Sequence, residues 1–243
     1  NGSQGKSFYQ KECPISRPPW VRTHPIWSES KKTPTRFCLI QDLPSLVWVA
    51  NLAALELHTS LAWAENYTSP TLLVFDLDPG HPADLLDCAQ VALWLKELLE
   101  EKKLVSFPKT SGSKGLQLYV PLNTPGDYRH TKSFAQQLAR RLEKQHPDKV
   151  VSNMRKNLRQ GKVFIDWSQN SRHKTTVCAY SLRAKKTPSV STPLEWAEVV
   201  KRLEHRAPQK LFFTPKQVLE RVAQSGDLFS RVLTLQQQIP PRL

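Results

Sequence analysis

The sequence predicts a mixed α/β fold. Two short apolar runs, at 72–75 and 163–167, have the length and composition of buried strands. Longer segments, such as 82–102 and 131–146, repeat apolar residues at helical spacing and carry charged residues between them. With 243 residues, the chain is long enough to bury a core as one large domain or two small ones.

Proline and glycine mark several boundaries of the predicted elements. Pro44 and Pro82 suit helix starts, whereas Gly161 and Gly226 suit helix ends. We predict strands at 37–40, 71–78, 105–108, 116–120, 163–167 and 175–182. We predict helices at 44–58, 82–102, 131–146, 148–159, 193–203, 214–225 and 227–237.

The composition indicates a globular protein with a polyanionic partner. The net charge is +14 without a low-complexity tail, which favours nucleic acid as that partner. No apolar run is long enough to span a membrane, and the polar N-terminus does not resemble a signal peptide. The four scattered cysteines include no CxxC pair, so we expect reduced thiols and neither a zinc site nor a disulfide framework.

Two carboxylates at the end of the first apolar run suggest a metal site. Asp76 and Asp78 are two residues apart, so an extended strand points both side chains to the same face. Their mutual repulsion would be offset by divalent cations, which prefer oxygen ligands. Asp166, isolated in the apolar stretch VFIDW, is a candidate third ligand. The alternative is a solvated turn at a strand end, where Asp is common.

Two further stretches have the composition of binding segments. In TSGSKGLQLY, small residues surround Lys114, and such a loop can bring backbone N–H groups and one positive charge to a phosphate. The same pattern also occurs in ordinary turns. Residues 1–36 interleave aromatic and cationic side chains, which suits base stacking beside phosphates. For Trp20 and Trp27 we instead expect packing in a core.

Four stretches occur in order along the chain: FDLDPG, TSGSKGLQLY, LRQGKVFIDWSQN followed by KTT, and YSLR. Together they resemble the polymerase domain of bacterial DNA ligase D, in the archaeo-eukaryotic primase superfamily. Stand-alone primase-polymerases of end joining share these motifs. The resemblance implies a primase-like fold with a central sheet carrying three Asp, flanking helices and a smaller N-terminal unit. It also implies one domain over 1–243 that lacks some N-terminal residues of the family, including lysines that grip a downstream 5′-phosphate.

The resemblance further implies roles for individual residues. Asp76, Asp78 and Asp166 would hold two Mn²⁺ or Mg²⁺ ions. The implied nucleotide-binding residues are His58, Ser111, Lys114, Gln117, Arg159, Lys174 and Arg183. The implied DNA-binding residues are Phe8, Tyr9 and Lys11.

Two of these positions have an alternative interpretation. His58 matches a family His beside the nucleotide sugar, linked to a preference for ribonucleotides. It could instead be an ordinary His at a helix end. Gln117 stands where the family usually has His. Its amide could donate to a phosphate oxygen, or the side chain could point to solvent.

The function implied by the resemblance is template-directed addition of ribonucleoside or deoxyribonucleoside triphosphates to a DNA 3′-hydroxyl, by a two-metal mechanism. The implied partners are DNA ends, gaps or primer-templates, with Ku protein and a DNA ligase as further candidates. The implied location is the cytoplasm, at the nucleoid. Two alternatives are a non-catalytic module that binds DNA ends and a two-metal nuclease. A nuclease has no need of a triphosphate-binding loop.

Overall fold

The computed structural model describes residues 8–28 and 31–240. The chain divides into two compact units, one up to residue 54 and one from residue 55 onward. No helix in the described part of the chain is long and apolar enough to cross a membrane. The smaller N-terminal unit expected from the resemblance is therefore present as a separate compact unit.

The N-terminal unit contains a hairpin and a short helix. Strand β1 (Thr23–Ser28) pairs antiparallel with β2 (Thr33–Cys38), and helix α1 (Leu43–Asn51) follows. The side chain of Asp42 caps α1 by accepting from the backbone N–H of Ser45 at 2.8 Å. Trp20 and Trp27 are 52% and 46% exposed, so the prediction that they pack in a core is wrong.

A disulfide joins Cys13 and Cys38 in this unit, so the prediction of reduced thiols throughout is wrong. The backbone N–H of Cys13 donates to the carbonyl of Arg36 at 2.7 Å, which brings Cys13 beside the end of β2. The two cysteines are 25 residues apart, and a spacing of that kind carries no signal of pairing. Cys88 and Cys178 remain free thiols.

The second unit alternates strands and helices. Its strands are β3 (His58–Thr59), β4 (Leu72–Pro79), β5 (Phe107–Thr110), β6 (Leu116–Pro121), β7 (Val150–Val151), β8 (Val163–Asp166), β9 (Thr176–Val177), β10 (Leu182–Arg183) and β11 (Ser189–Val190). Its α-helices are α2 (Leu85–Glu101), α3 (Tyr128–Gln145), α4 (Trp196–Glu204) and α5 (Pro215–Ser225).

Five of these strands form the central sheet, in the order β5-β6-β4-β8-β7. All neighbours are antiparallel except β7 and β8, which are parallel. On β4, Leu73, Phe75 and Leu77 join the main core, which also holds the buried faces of α2 and α3. Side chains alternate along a strand, so Asp76 and Asp78 point to the opposite face of the sheet. The acids thus lie on the sheet face that α2 and α3 do not cover.

Three predicted helices differ from the structure. Helix α1 ends at Asn51, because the chain turns at Ala53 in the left-handed region (φ 58°), and His58 lies in β3 rather than at a helix end. Residues 148–159 form β7 and a short 3₁₀ turn, since two buried valines pair with β8. Residues 227–237 contain only a 3₁₀ turn. Each segment has helix-compatible residues, but tertiary pairing or chain reversal overrides that preference.

Smaller differences concern where elements begin and break. Helix α2 starts after Asp84 instead of at Pro82, because Asp84 accepts from the N–H groups of Leu86 and Asp87. The predicted strand 175–182 is interrupted, with Tyr180 at φ 64°, and supplies β9 and the first residue of β10. The helix capped by Thr214 and ended by Gly226 is confirmed as α5.

Candidate active site

A row of four polar residues crosses the central sheet. In the strand register, Lys109 of β5 is opposite Gln117 of β6, Gln117 is opposite Asp76 of β4, and Asp76 is opposite Asp166 of β8. Residues directly opposite each other point to the same face of a sheet. Asp78, two residues beyond Asp76, points to that face as well. The sheet therefore brings together acids that are far apart in the sequence.

Burial and neighbouring acids disfavour the ionised forms of Asp76 and Asp78. Burial, with Asp78 and Asp166 close by, raises the pKa of Asp76 to about 7, although the hydrogen bond from Gln117 and the charge of Lys109 act against that rise. Burial and the charge of Asp166 also raise the pKa of Asp78, and Arg159 opposes that shift. The cluster thus holds more negative charge than the nearby cations compensate, and an added cation would relieve it.

Gln117 is hydrogen-bonded to Asp76. Its Nε2 donates to Asp76 Oδ1 at 3.0 Å and to Thr176 Oγ1 at 2.9 Å. The aliphatic neighbours Leu116 and Leu118 belong to the main core on the other face, as the alternation along this strand predicted. Gln117 Oε1 is buried and has no hydrogen-bond partner among the described residues. Gln117 therefore faces Asp76 rather than solvent, and its role as a phosphate ligand stays a prediction.

Asp166 lies in a network of local polar contacts. Its Oδ1 accepts from the backbone N–H of Ser168 at 2.9 Å and from the Ser168 hydroxyl at 2.5 Å, and its Oδ2 accepts from Gln169 Nε2 at 3.2 Å. Lys174 Nζ is 3.7 Å from Asp166 Oδ2 and also donates to Ser168 Oγ. Lys174 is thus paired with the third acid in this structure.

The loop between β5 and β6 is compact and glycine-dependent. Ser111 Oγ accepts from the backbone N–H groups of Ser113 and Gly115, each at 3.2 Å. Gly112 has φ 66°, and a Cβ there would lie 2.7 Å from Arg183 Cγ. A Cβ on Gly115 would lie 1.9 Å from the carbonyl oxygen of Leu77. The loop therefore packs directly against the strand that carries the two acids.

Arg183 and His58 lie close to this loop. Arg183 Nη1 donates to the carbonyl of Ser111 at 2.6 Å. His58 on β3 is opposite Val177 on β9, and its Nε2 lies 3.2 Å from Glu56 Oε2. Glu56 Oε1 in turn lies 3.2 Å from Arg183 Nε.

Several of these groups line one cavity of about 260 Å³. Its lining combines acids, the loop, His58 and Arg183. The lining residues are His58, Asp76, Asp78, Ser111, Ser113, Lys114, Gln117, Gln169, Thr175, Thr176, Val177 and Arg183. A volume of this order suits a polar ligand the size of a nucleotide fragment.

Comparison with known proteins assigns a family. Residues 1–229 match the family model "LigD, primase-polymerase domain". The chain belongs to the LigD primase-polymerase family. It is 42% identical over 241 residues to "Multifunctional non-homologous end joining DNA repair protein LigD" of Mycobacterium tuberculosis H37Rv, which covers 96% of this chain and 31% of that protein. It is 32% identical over 227 residues to "Bifunctional non-homologous end joining protein LigD" of Bacillus subtilis, covering 93% of this chain and 35% of the relative.

Among solved structures, the fold of this LigD family member is similar to "Polymerase Domain from Mycobacterium tuberculosis Ligase D in complex with DNA", with a TM-score of 0.86 and 39% identity. That match covers 96% of this chain and 81% of the solved chain. The prediction of a mixed α/β, primase-like fold is confirmed. The chain spans about a third of the length of the Mycobacterium tuberculosis LigD protein.

The remaining predicted site residues do not line the cavity; they are Asp166, Lys174, Arg159, Phe8, Tyr9 and Lys11. Arg159 nevertheless lies near enough to Asp78 for its charge to oppose the raised pKa of that acid. The Arg159 guanidinium lies 3.6 Å from the centroid of the Phe164 ring, and its Nη2 donates to the carbonyl of Met154 at 2.8 Å. Phe8, Tyr9 and Lys11 belong to the N-terminal unit, where Phe8 is 80% exposed and Lys11 Nζ is 6.0 Å from the Tyr9 ring centroid.

Sequence reasoning missed two charged residues that lie beside the residues of this candidate site. Lys109 is fully buried, donates to Ser191 Oγ at 2.5 Å, and burial lowers its pKa to about 7. Glu56 contacts both His58 and Arg183. A Lys next to TSGSK and a Glu two residues before His58 were visible in the sequence, but only their tertiary partners distinguish them from surface charges.

The donor set suits hard divalent ions such as Mg²⁺ or Mn²⁺, because carboxylate oxygens predominate. Burial and the neighbouring acids raise the pKa values of Asp76 and Asp78, and a bound cation would favour their ionised forms. The buried Gln117 Oε1 is a further oxygen beside Asp76. In the described part of the chain, however, no group of three or more His, Cys, Asp or Glu side chains has the arrangement of a ready metal site. The oxygens of Asp166 face local donors in this structure, namely Ser168 and Lys174.

Proposed function

We propose that this LigD-type domain is a template-directed nucleotidyltransferase that adds nucleotides, preferably ribonucleotides, to a DNA 3′-hydroxyl during non-homologous end joining. One observation carries the proposal. Asp76 and Asp78 share a single cavity with Ser111, Lys114 and Arg183. That cavity combines oxygen ligands for divalent ions with groups that suit a triphosphate, which is the combination that nucleotidyl transfer requires.

Asp76, Asp78 and Asp166 would hold two Mg²⁺ or Mn²⁺ ions. When bound, such ions lower the pKa of an attacking hydroxyl and neutralise the phosphate oxygens and the pyrophosphate leaving group. Lys114 and Arg183 would take the remaining triphosphate charge, Arg183 through its planar donor fork. Lys174 would serve the same end once it leaves Asp166, and its departure would remove the cation that lies 3.7 Å from Asp166 Oδ2.

The proposed macromolecular partner is DNA. The net charge of +14 supports a polyanionic partner, and the similar solved polymerase domain was determined in complex with DNA. Phe8 and Tyr9 are exposed aromatic side chains, and the cation of Lys11 lies near the Tyr9 ring, so this group suits stacking on template bases beside a phosphate. The names of the relatives place them in end joining, and Ku protein and a DNA ligase are the corresponding proposed partners.

The test is primer extension on gapped DNA with Mn²⁺ or Mg²⁺ and each nucleoside triphosphate, beside an Asp166→Ala control. The proposal expects template-dependent lengthening of the primer that Asp166→Ala lacks. Shortening of the primer without any need for nucleotide would indicate a nuclease instead. DNA binding with an unchanged primer under all metal conditions would indicate a non-catalytic DNA-end module, and either result would overturn the proposal.

A further inference from the structure

Glu56 lies between two side chains that line the cavity, and it does not line the cavity itself. Its Oε2 is 3.2 Å from His58 Nε2. Its Oε1 accepts from the backbone N–H of Ala184 at 2.9 Å and lies 3.2 Å from Arg183 Nε. Glu56 and Arg183 therefore form an ion pair, but Arg183 Nε has no hydrogen-bond partner among the described residues. One carboxylate thus connects the strand of His58 with the strand of Arg183.

The surroundings keep this carboxylate ionised. Burial acts to raise the pKa of Glu56, but the Ala184 amide, His58 and Arg183 outweigh it, and the pKa falls below its usual value. The side chains of Glu56 and His58 are about one quarter exposed, and that of Arg183 is 15% exposed. Side chains shielded to this degree hold one geometry better than exposed ion pairs do.

An ionised carboxylate can only accept hydrogen bonds, so His58 must carry a hydrogen on Nε2. This fixes both the tautomer of the neutral ring and the plane of the imidazole. On the other side, Arg183 is held at one end by Glu56 and at the other by the carbonyl of Ser111, at 2.6 Å. Glu56 therefore orients two residues that line the cavity, His58 and Arg183.

We propose that Glu56 is a positioning residue that sets sugar discrimination through His58 and triphosphate binding through Arg183. This inference rests on the proposed function. A purely structural interpretation, in which Glu56 only joins the two segments, predicts a loss of stability without a change in nucleotide choice. The two interpretations therefore differ in the ratio of ribonucleotide to deoxyribonucleotide use. Substitution of Glu56 changes this ratio if Glu56 is a positioning residue, and leaves it unchanged if Glu56 is purely structural.

The experiment measures kcat/KM for matched ribonucleoside and deoxyribonucleoside triphosphates in primer extension, for wild type, Glu56→Ala, Glu56→Gln, His58→Ala and the double variant Glu56→Ala/His58→Ala. Glu198→Gln is the matched control, because Glu198 forms a partly buried pair with Arg221 at 2.8 Å, between α4 and α5. Thermal unfolding of each variant reports any loss of stability separately.

We expect Glu56→Ala to reduce sugar discrimination on the order of tenfold, the size expected from losing one charged hydrogen bond. It should also raise KM for both nucleotides, because Arg183 keeps, among the described residues, only its hydrogen bond to the carbonyl of Ser111. Glu56→Gln should lie between wild type and Glu56→Ala, since its amide oxygen can still accept from His58 Nε2. The double variant should discriminate no less than His58→Ala alone, because Glu56 acts on the sugar only through His58.

Three results would overturn the inference. One is wild-type discrimination in Glu56→Ala. Another is a double variant whose loss of sugar discrimination equals the product of the losses in Glu56→Ala and His58→Ala. The third is an equal loss of discrimination in Glu198→Gln. A wild-type protein that extends no primer with either sugar would instead refute the proposed function, and with it this inference, so the two failures are distinguishable.

Discussion

Gln117 Nε2 donates to Asp76 Oδ1 at 3.0 Å, across the register of β6 and β4. The second hydrogen of the same amide is used by Thr176, at 2.9 Å. Gln117 therefore supports Asp76 in its present position, and the amide must give up one of these bonds before it can donate to a phosphate.

The first prediction concerns this contact. Gln117→Leu should weaken Mn²⁺ binding by roughly tenfold, because Asp76 loses the hydrogen bond that favours its ionised form. Mn²⁺ titration followed by electron paramagnetic resonance measures this without relying on activity. Gln137→Leu is the matched control, because Gln137 is exposed on α3 and bonds only to Ser133 among the described residues. Equal Mn²⁺ affinity in wild type and Gln117→Leu would contradict the support role.

The second prediction concerns Asp166, the acid at the end of β8. Asp166→Ala should reduce nucleotide addition more than tenfold, a barrier increase above about 1.4 kcal/mol, because the variant lacks a proposed metal ligand. The fold should survive, since Asp166 lies at the end of β8 and its hydrogen bonds are to residues close in sequence. Primer extension and thermal unfolding measure the two effects. More than a tenth of wild-type extension would remove Asp166 from the metal site.

The third prediction uses the pKa of Asp76, which burial and the neighbouring acids raise to about 7 in the folded protein from an ordinary value of 3.8. Since the folded protein binds a proton that the unfolded chain releases, the stability of the metal-free protein should fall as pH rises from about 4 to about 7. Asp76→Asn removes this titration. In EDTA it should stabilise the protein on the order of 1–3 kcal/mol at pH 8, and much less at pH 4. Urea unfolding at both values tests this, and an equal effect at both would refute the assigned shift.

The fourth prediction concerns the glycine loop. Gly115→Ala should destabilise the protein by about 2 kcal/mol or more and impair nucleotide binding, because its Cβ would lie 1.9 Å from the carbonyl oxygen of Leu77. Gly126→Ala is the matched control, because a Cβ at Gly126 meets nothing within 4 Å. Urea unfolding and binding of a fluorescent nucleotide analogue measure the two effects. Similar behaviour of both variants would contradict the close packing of the loop on β4.

Several features of this protein were accessible from its sequence, for local reasons. The apolar run before Asp76 and the two-residue spacing of Asp76 and Asp78 predicted a strand with both acids on one face, and β4 has that form. Thr214 and Gly226 mark the ends of α5 through capping, which depends only on neighbouring residues. The four motifs indicated the family, because each is a short contiguous stretch that can be recognised without knowing the fold.

Only the tertiary structure decided which distant residues meet. The row that joins Lys109, Gln117, Asp76 and Asp166 depends on the register of three strand pairs, and no local pattern determines such a register. The contact of Glu56 with Arg183 arises because the fold brings two segments that are distant in sequence together. The pairing of Cys13 with Cys38 and the short strand β7 have the same origin. Local composition describes what a segment prefers, whereas burial and strand pairing, which depend on the whole chain, select its partners.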